Sequence, residues 1–338
     1  RKHALEVADE YKKQIRYEVL EASNSSALSV TTDIWSDGVV RQAYMDISVF
    51  YIHDFKLKHA LLAFRNFNES HTASAIFEKV KCIAEEYGFN HLTSPYVTDS
   101  ASNMKAAFRE GEWYPCICHR LHTVIKDSWS NFLEADIEVS IMFGKMMNVR
   151  KNIHQSFGLN AQLPKKLPND SPTRFWVGLS AFFRAFLTSF EKIIEMFETR
   201  EDEPPTDKKL MEQTLAALES FEFAFQNMQK ADSPTLHLAI WNLAKLETSI
   251  GKWPNRMKCF GRIVIESLKK KWLAELNHGH VLSIALHPNY KSLDIFNNAP
   301  ILNSLKNVTD IHDSILAVAH SIGIGYASIG NENDEPDQ

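Results

Sequence analysis

A switch in hydrophobic period near residue 124 constrains this chain more than any other feature of its sequence. Before the switch, three runs alternate apolar and polar residues in the manner of half-buried strands, at 28–35, 42–52 and 57–64. The second run is the clearest, with Ala43, Met45, Ile47, Val49 and Tyr51 on one side. The connections at 36–40 and 53–56 are too short for a crossover, so the runs form an antiparallel meander. An amphipathic helix over 3–22, carrying Leu5, Ala8, Tyr11, Ile15, Val19 and Leu20, precedes them and ends at the polar run 23–26. A second helix is predicted over 72–87. Its stripe is Ile76, Phe77, Val80, Ile83, Ala84 and Tyr87, and Gly88 stands where a left-handed cap belongs. A strand at 96–99, a helix at 103–109, a strand at 114–118 and a helix from His119 complete the order β-β-β-α-β-α-β-α.

After the switch, from about 124 to 323, the apolar spacing is helical throughout. Trp176, Leu179, Phe183, Phe186, Phe190, Ile193 and Phe197 recur in steps of three and four. An acidic, proline-containing stretch at 201–205 interrupts the pattern, and further helices are predicted at 207–230, 234–250, 256–276 and 300–322. The 338 residues contain only 12 Gly and 12 Pro, well below the usual combined share of ~12%, which suits long helices. The fold class is therefore α/β plus all-α. A mixed-sheet domain spans 1–135, a helical domain 136–323, and an acidic tail without apolar anchors, expected to be disordered, 324–338.

With 44% hydrophobic residues and a formal net charge of −5, the chain is neither disordered nor a uniformly basic nucleic-acid coat, although a local basic face is allowed. No apolar run is long enough to span a membrane. The four cysteines, Cys82, Cys116, Cys118 and Cys259, provide no disulfide framework and suit a reducing compartment. The chain begins at Arg1 with no signal pattern and reads as part of a longer protein.

Three constellations could carry chemistry. A meander followed by a helical crossover sets the fourth strand parallel to the first and beside it, and ligands of open α/β sheets gather at the carboxyl ends of such strands. Asp33 lies late in the first strand and Asp99 ends the fourth. Together they could hold Mg²⁺, a hard cation that takes oxygen ligands, for phosphodiester chemistry completed by a third carboxylate. The structural alternative is that both aspartates cap turns. Cys116, Cys118, His119 and His122 form the second group. They offer soft and imidazole ligands for zinc, but crowded closer than zinc sites usually space them. The alternative is a thiol pair sharing a strand face, with a histidine at a helix start. In the third, Asp170, Ser171 and Pro172 open a helix. Arg174, Phe175 and Trp176 then supply a cation and two aromatic faces for phosphate contact and base stacking. Lys145, Arg150, Lys151, Lys165, Lys166 and Arg184 could add a basic face for DNA. The alternative makes Trp176 the first residue of the Phe-rich core seam.

Six segments in register resemble the hAT superfamily of transposases (hobo, Activator and Tam3 type) and the BED-type zinc-finger proteins related to them. Asp33-Ile34-Trp35-Ser36 is similar to the family's D-x-W-[ST] strand, His71-Thr72 to its H-T helix start, and Thr98-Asp99-Ser100-Ala101-Ser102-Asn103-Met104 to its T-D-x-A-x-N-M segment. Cys116, His119 and Leu121 match C-x-x-H-x-L. Thr173-Arg174-Phe175-Trp176 is similar to a T-R-W segment, and Leu286-His287-Pro288-Asn289-Tyr290-Lys291 to L-D-P-R-Y-K. The resemblance covers about 25–295. It departs from the family at Phe175, which displaces the tryptophan by one, and at His287, which stands in place of Asp.

The resemblance implies a ribonuclease H-like mixed sheet interrupted by a large helical insertion. It implies a nuclear DDE-type enzyme that cuts and joins DNA with Mg²⁺ or Mn²⁺, in which Asp33 and Asp99 match the first two acids. No segment similar to the family's S-E-R-x-F-S motif, which bears the third acid, occurs here, nor does an N-terminal BED-type finger. The expectation is an inactive fragment of a DNA transposase that pairs with a second copy through a region outside this sequence. The alternative is a domesticated, non-catalytic nuclear DNA-binding protein.

Overall fold

The computed structural model describes residues 2–156, 158–169, 175–197, 204–290, 292–305, 313 and 315–317. The expected acidic tail, most of the expected helix at 300–322, Arg174 and Lys291 lie outside the described residues, as do the side chains of Phe175 and Trp176. Helix α1 (Lys2–Asn24) leads into strands β1 (Leu28–Asp37), β2 (Gln42–His53) and β3 (Lys56–Asn66). Helix α2 (Ala73–Tyr87), strand β4 (Tyr96–Thr98), helix α3 (Ser102–Ala107) and strand β5 (Trp113–Pro115) follow. The five-stranded sheet runs in the order β3-β2-β1-β4-β5. β1 pairs antiparallel with β2 and β2 with β3, whereas β1–β4 and β4–β5 are parallel. The strands therefore form a mixed sheet, with the fourth parallel to the first and beside it.

Alternation sorts the strands into two faces. Leu28, Val30 and Thr32 of β1 and Met45, Ile47, Val49 and Tyr51 of β2 are buried under α1 and α2. Ile15, Val19 and Ala22 of α1 join this core, but Tyr11 and Leu20 of the expected stripe are exposed. α2 starts where Thr72 Oγ1 accepts a hydrogen bond from the Ala75 N–H and ends at Gly88, whose φ of 79° is the expected left-handed cap. The other face of the sheet carries Thr31, Asp33, Trp35, Tyr44, Asp46, Phe50 and Phe64, most of them reachable by solvent.

The helical half begins directly after β5 with α4 (Ile117–Ala135), α5 (Ile137–Gln155), α6 (Phe175–Thr188), α7 (Phe190–Phe197) and α8 (Lys208–Met228). α9 (Leu238–Gly251), α10 (Lys258–Lys271), α11 (His278–Ala285) and α12 (Ile295–Asn298) complete it. Its core is separate from that under the sheet and centres on Trp129, whose ring meets Phe143, Phe183 and Phe260 edge-on at 5.2, 5.8 and 6.0 Å. The phenylalanine seam lies within this core, broken into α6 and α7 at Ser189, whose hydroxyl donates to the Lys165 carbonyl. Asp136 starts α5 by accepting from the Glu138 and Val139 N–H groups, and Arg256 grips the same carboxylate. The two halves are joined by Glu275, just past α10, which accepts from Arg120 of α4 at 2.5 Å and from Lys105 of α3 at 2.8 Å.

Candidate functional site

The parallel β1–β4 register pairs Thr31 with Val97, and continuing it by two residues sets Asp33 opposite Asp99, one residue past the end of β4. Buried threonines hold the backbone on both sides. Thr32 Oγ1 donates to the Asp46 carbonyl at 2.7 Å, and Thr98 Oγ1 donates to the Asp99 carbonyl at 2.7 Å while accepting from Trp113 Nε1. Asn103 ties the segment to the start of α2 through a 2.9 Å bond to the His71 carbonyl. These contacts explain why polar, β-branched and amide residues crowd the two aspartates in sequence: each satisfies a backbone carbonyl.

Surrounding protein raises the Asp33 carboxyl above the ordinary carboxylate range, and the nearby charge of Asp99 adds to the effect. The Ile34 N–H and the positive side of His119 oppose it. Asp99 accepts from the Ala101 N–H at 3.1 Å. A third carboxylate, Asp46, lies directly across the antiparallel pair from Asp33. Its carboxyl is raised by burial and then by the Asp33 charge. Asp46 has no counterpart in the sequence reading, because cross-strand pairing is non-local; the alternation of β2 does put it on the Asp33 face. Beside these acids runs a row of rings: Trp35 stacks on Tyr44 at 4.7 Å and Tyr44 on Phe64 at 5.4 Å, with Trp35 45% and Phe64 51% exposed.

The cysteine–histidine group is arranged differently from its expected form. β5 ends at Pro115, so Cys116 caps α4 and Cys118 lies in its first turn, and the two do not share a strand face. Residues two apart on a helix point in different directions. Burial raises the Cys116 thiol, against hydrogen bonds from the His119 and Cys118 N–H groups, and pushes the Cys118 thiol up to about 12. Burial lowers His122, with help from His119. Among the described residues no group of three or more His, Cys, Asp or Glu side chains is arranged to hold a metal ion.

On α5, Lys145 and Arg150 are half-buried and Lys151 is exposed. Arg150 lies over the Phe182 ring at 5.1 Å and, with Lys151 and His154, borders a shallow depression. Arg184 is withdrawn from the expected basic face, because its guanidinium is shared between Glu219 and Glu222 at 3.0 and 2.9 Å. Among the described residues no helix is long and apolar enough to cross a membrane.

The mixed sheet, with Asp33 and Asp99 at the ends of neighbouring strands, is joined to a large helical body, and comparison of the chain with known proteins adds a separate finding. The chain is related to the hAT-type transposases. It is 25% identical over 287 residues to the Hobo transposase of a transposable element of Drosophila melanogaster, a match that takes in 83% of this chain. The chain spans 44% of the length of that relative. No family model matches the sequence.

Proposed function

We propose that this chain supplies part of the catalytic region of a DDE-type DNA transposase, with a ribonuclease H-like sheet that holds the first two acids, Asp33 and Asp99. The observation that supports the reading most is the parallel β1–β4 register, whose continuation puts Asp33 and Asp99 at the same end of neighbouring strands, with the charge of Asp99 felt at Asp33. The strand order β3-β2-β1-β4-β5 and the similarity to Hobo transposase support it. Both carboxylates offer oxygen donors and retain solvent access, which suits a hard divalent cation that keeps part of its water shell. When bound, Mg²⁺ or Mn²⁺ would activate water and neutralise charge developing on a scissile phosphate. In this reading Asp33 and Asp99 bind and orient, and Thr32 and Thr98 keep their backbones aligned. Lys145, Arg150 and Lys151 on α5, with Arg174, Phe175 and Trp176, contact the DNA strand. Nuclear DNA is the partner, and pairing with a second copy belongs to the same reading.

Two carboxylates hold one ion weakly. Titration of Mn²⁺ followed by electron paramagnetic resonance is expected to show weak, saturable binding, reduced at least tenfold by Asp33→Asn and by Asp99→Asn. The isolated chain is expected not to nick DNA. Manganese binding that survives both substitutions overturns the assignment.

A further inference from the structure

One pleat repeat back from the acids, about 7 Å along β1 and β4, the sheet and the helical half fail to close on each other. They leave a cavity of about 500 Å³, floored by Thr31, Val97 and Tyr114 and roofed by the connection from α8 to α9 and by α11. This is within the usual size of small-molecule sites, and the walls are mostly apolar with a few hydroxyls, as such sites are. His280 of α11 lines the cavity and is 0% exposed. Its Nδ1 is engaged with Asn277 Oδ1 at 2.8 Å, and the Tyr114 ring packs against it edge-on at 5.5 Å. Gly279 leaves the space that Tyr114 occupies: a Cβ there would stand 2.2 Å from the tyrosine oxygen. The imidazole is thus fixed from two sides, yet its Nε2 is buried with no hydrogen-bond partner. Leaving such an atom unpaired in an apolar interior is costly. Burial lowers the His280 pKa to about 4, so the ring is neutral at physiological pH.

We infer that this cavity binds an uncharged, planar heteroaromatic ring of the nucleobase type, with His280 Nε2 hydrogen-bonded to its edge. The mostly apolar lining suits the faces of such a ring, and the hydroxyls of Ser29, Thr31, Ser233 and Thr235 offer further partners for its edge. Cys116 lines the cavity and lies within the field of both Asp33 and Asp99. A base seated there would carry its sugar and phosphate towards the acid pair, and in this respect the inference rests on the function proposed above. The ring could come from a free nucleoside or from a base turned out of a DNA strand, and the test separates the two.

The chain labelled with ¹⁵N in its histidine rings is titrated with deoxynucleosides and, separately, with toluene. A saturable shift of the His280 ring nitrogens by a nucleoside is expected, with affinity reduced at least tenfold in His280→Phe and in Leu236→Trp, which fills the cavity from the α8–α9 connection. Toluene binding as tightly as any nucleoside, or nucleoside binding unchanged in Leu236→Trp, overturns the inference. A single strand carrying 2-aminopurine then identifies the source. A fluorescence change lost in Leu236→Trp assigns the site to a DNA base, and its absence alongside nucleoside binding assigns it to a free nucleoside. Manganese binding is measured on the same variants. If it persists while no nucleoside binds, only the present inference fails; if nucleosides bind to Asp33→Asn as to the parent chain but manganese binds to neither, only the catalytic reading fails.

Discussion

Glu18 of α1 is 5% exposed and faces the sheet, where it accepts from Tyr51 at 2.8 Å, Lys58 at 2.9 Å and Gln14 at 3.0 Å. Burial alone would raise its carboxyl, but the bonds from Lys58, Gln14 and Tyr51 more than offset that and hold it below the ordinary value. A group depressed in the folded state contributes stability above its unfolded pKa and loses it as the pH falls through the folded value. Urea titrations are therefore expected to show stability falling below about pH 4.5, with Glu18→Ala flattening that part of the profile. The same substitution is expected to cost about 3 kcal/mol at pH 7, because Lys58 and Tyr51 lose a buried acceptor. On α5 of the helical half, Lys151→Ala is expected to weaken DNA binding about equally across sequences and to reduce the salt dependence by about one counterion, as befits a phosphate contact. Single positions also mark where sequence reading succeeds and fails. The parallel pairing of β1 with β4 could be read from sequence because topology rules relate such neighbours. His280 could not, since nothing local distinguishes a buried imidazole with one free nitrogen from an exposed one.

At the scale of elements, period decided what was legible. The meander and α2 follow from strict alternation and a complete apolar stripe, and their observed bounds differ from the expected ones by a residue or two. β5 was harder, because three residues carry no period, and Pro115 ends the strand before Cys116 where an apolar reading runs on to 118. The apolar period running up to 197 continues across the boundary between α6 and α7, since i→i−4 bonds run on from Ala185 through Ser189 to Ile193 while the Ser189 hydroxyl bonds the Lys165 backbone. How α11 docks was invisible in sequence, since it depends on the absence of a single Cβ at Gly279 against Tyr114. Gly279→Ala must push the tyrosine ring or lift the helix, and is expected to lower stability by about 1–3 kcal/mol, read from the shift in the urea midpoint. Gly88→Ala places a side chain at a φ of 79°, and is expected to cost about 1 kcal/mol.

The whole molecule holds two apolar cores, one under the sheet and one around Trp129, that share no buried residue. Two such cores joined by polar contacts favour unfolding in parts. Scanning calorimetry is expected to give a calorimetric enthalpy larger than the van't Hoff value, and Glu275→Ala to separate the two transitions further. Glu275 is the pivot of that coupling, because Arg120 anchors it within the helical half while Lys105 reaches it from the sheet half. This charged contact works beside the close steric fit of Tyr114 of β5 against Gly279 of α11. Under the function proposed above, a polyphosphate backbone that competes for Lys105 and Arg120 would release Glu275 and so weaken the charged contact between the sheet that carries the acids and the helical body.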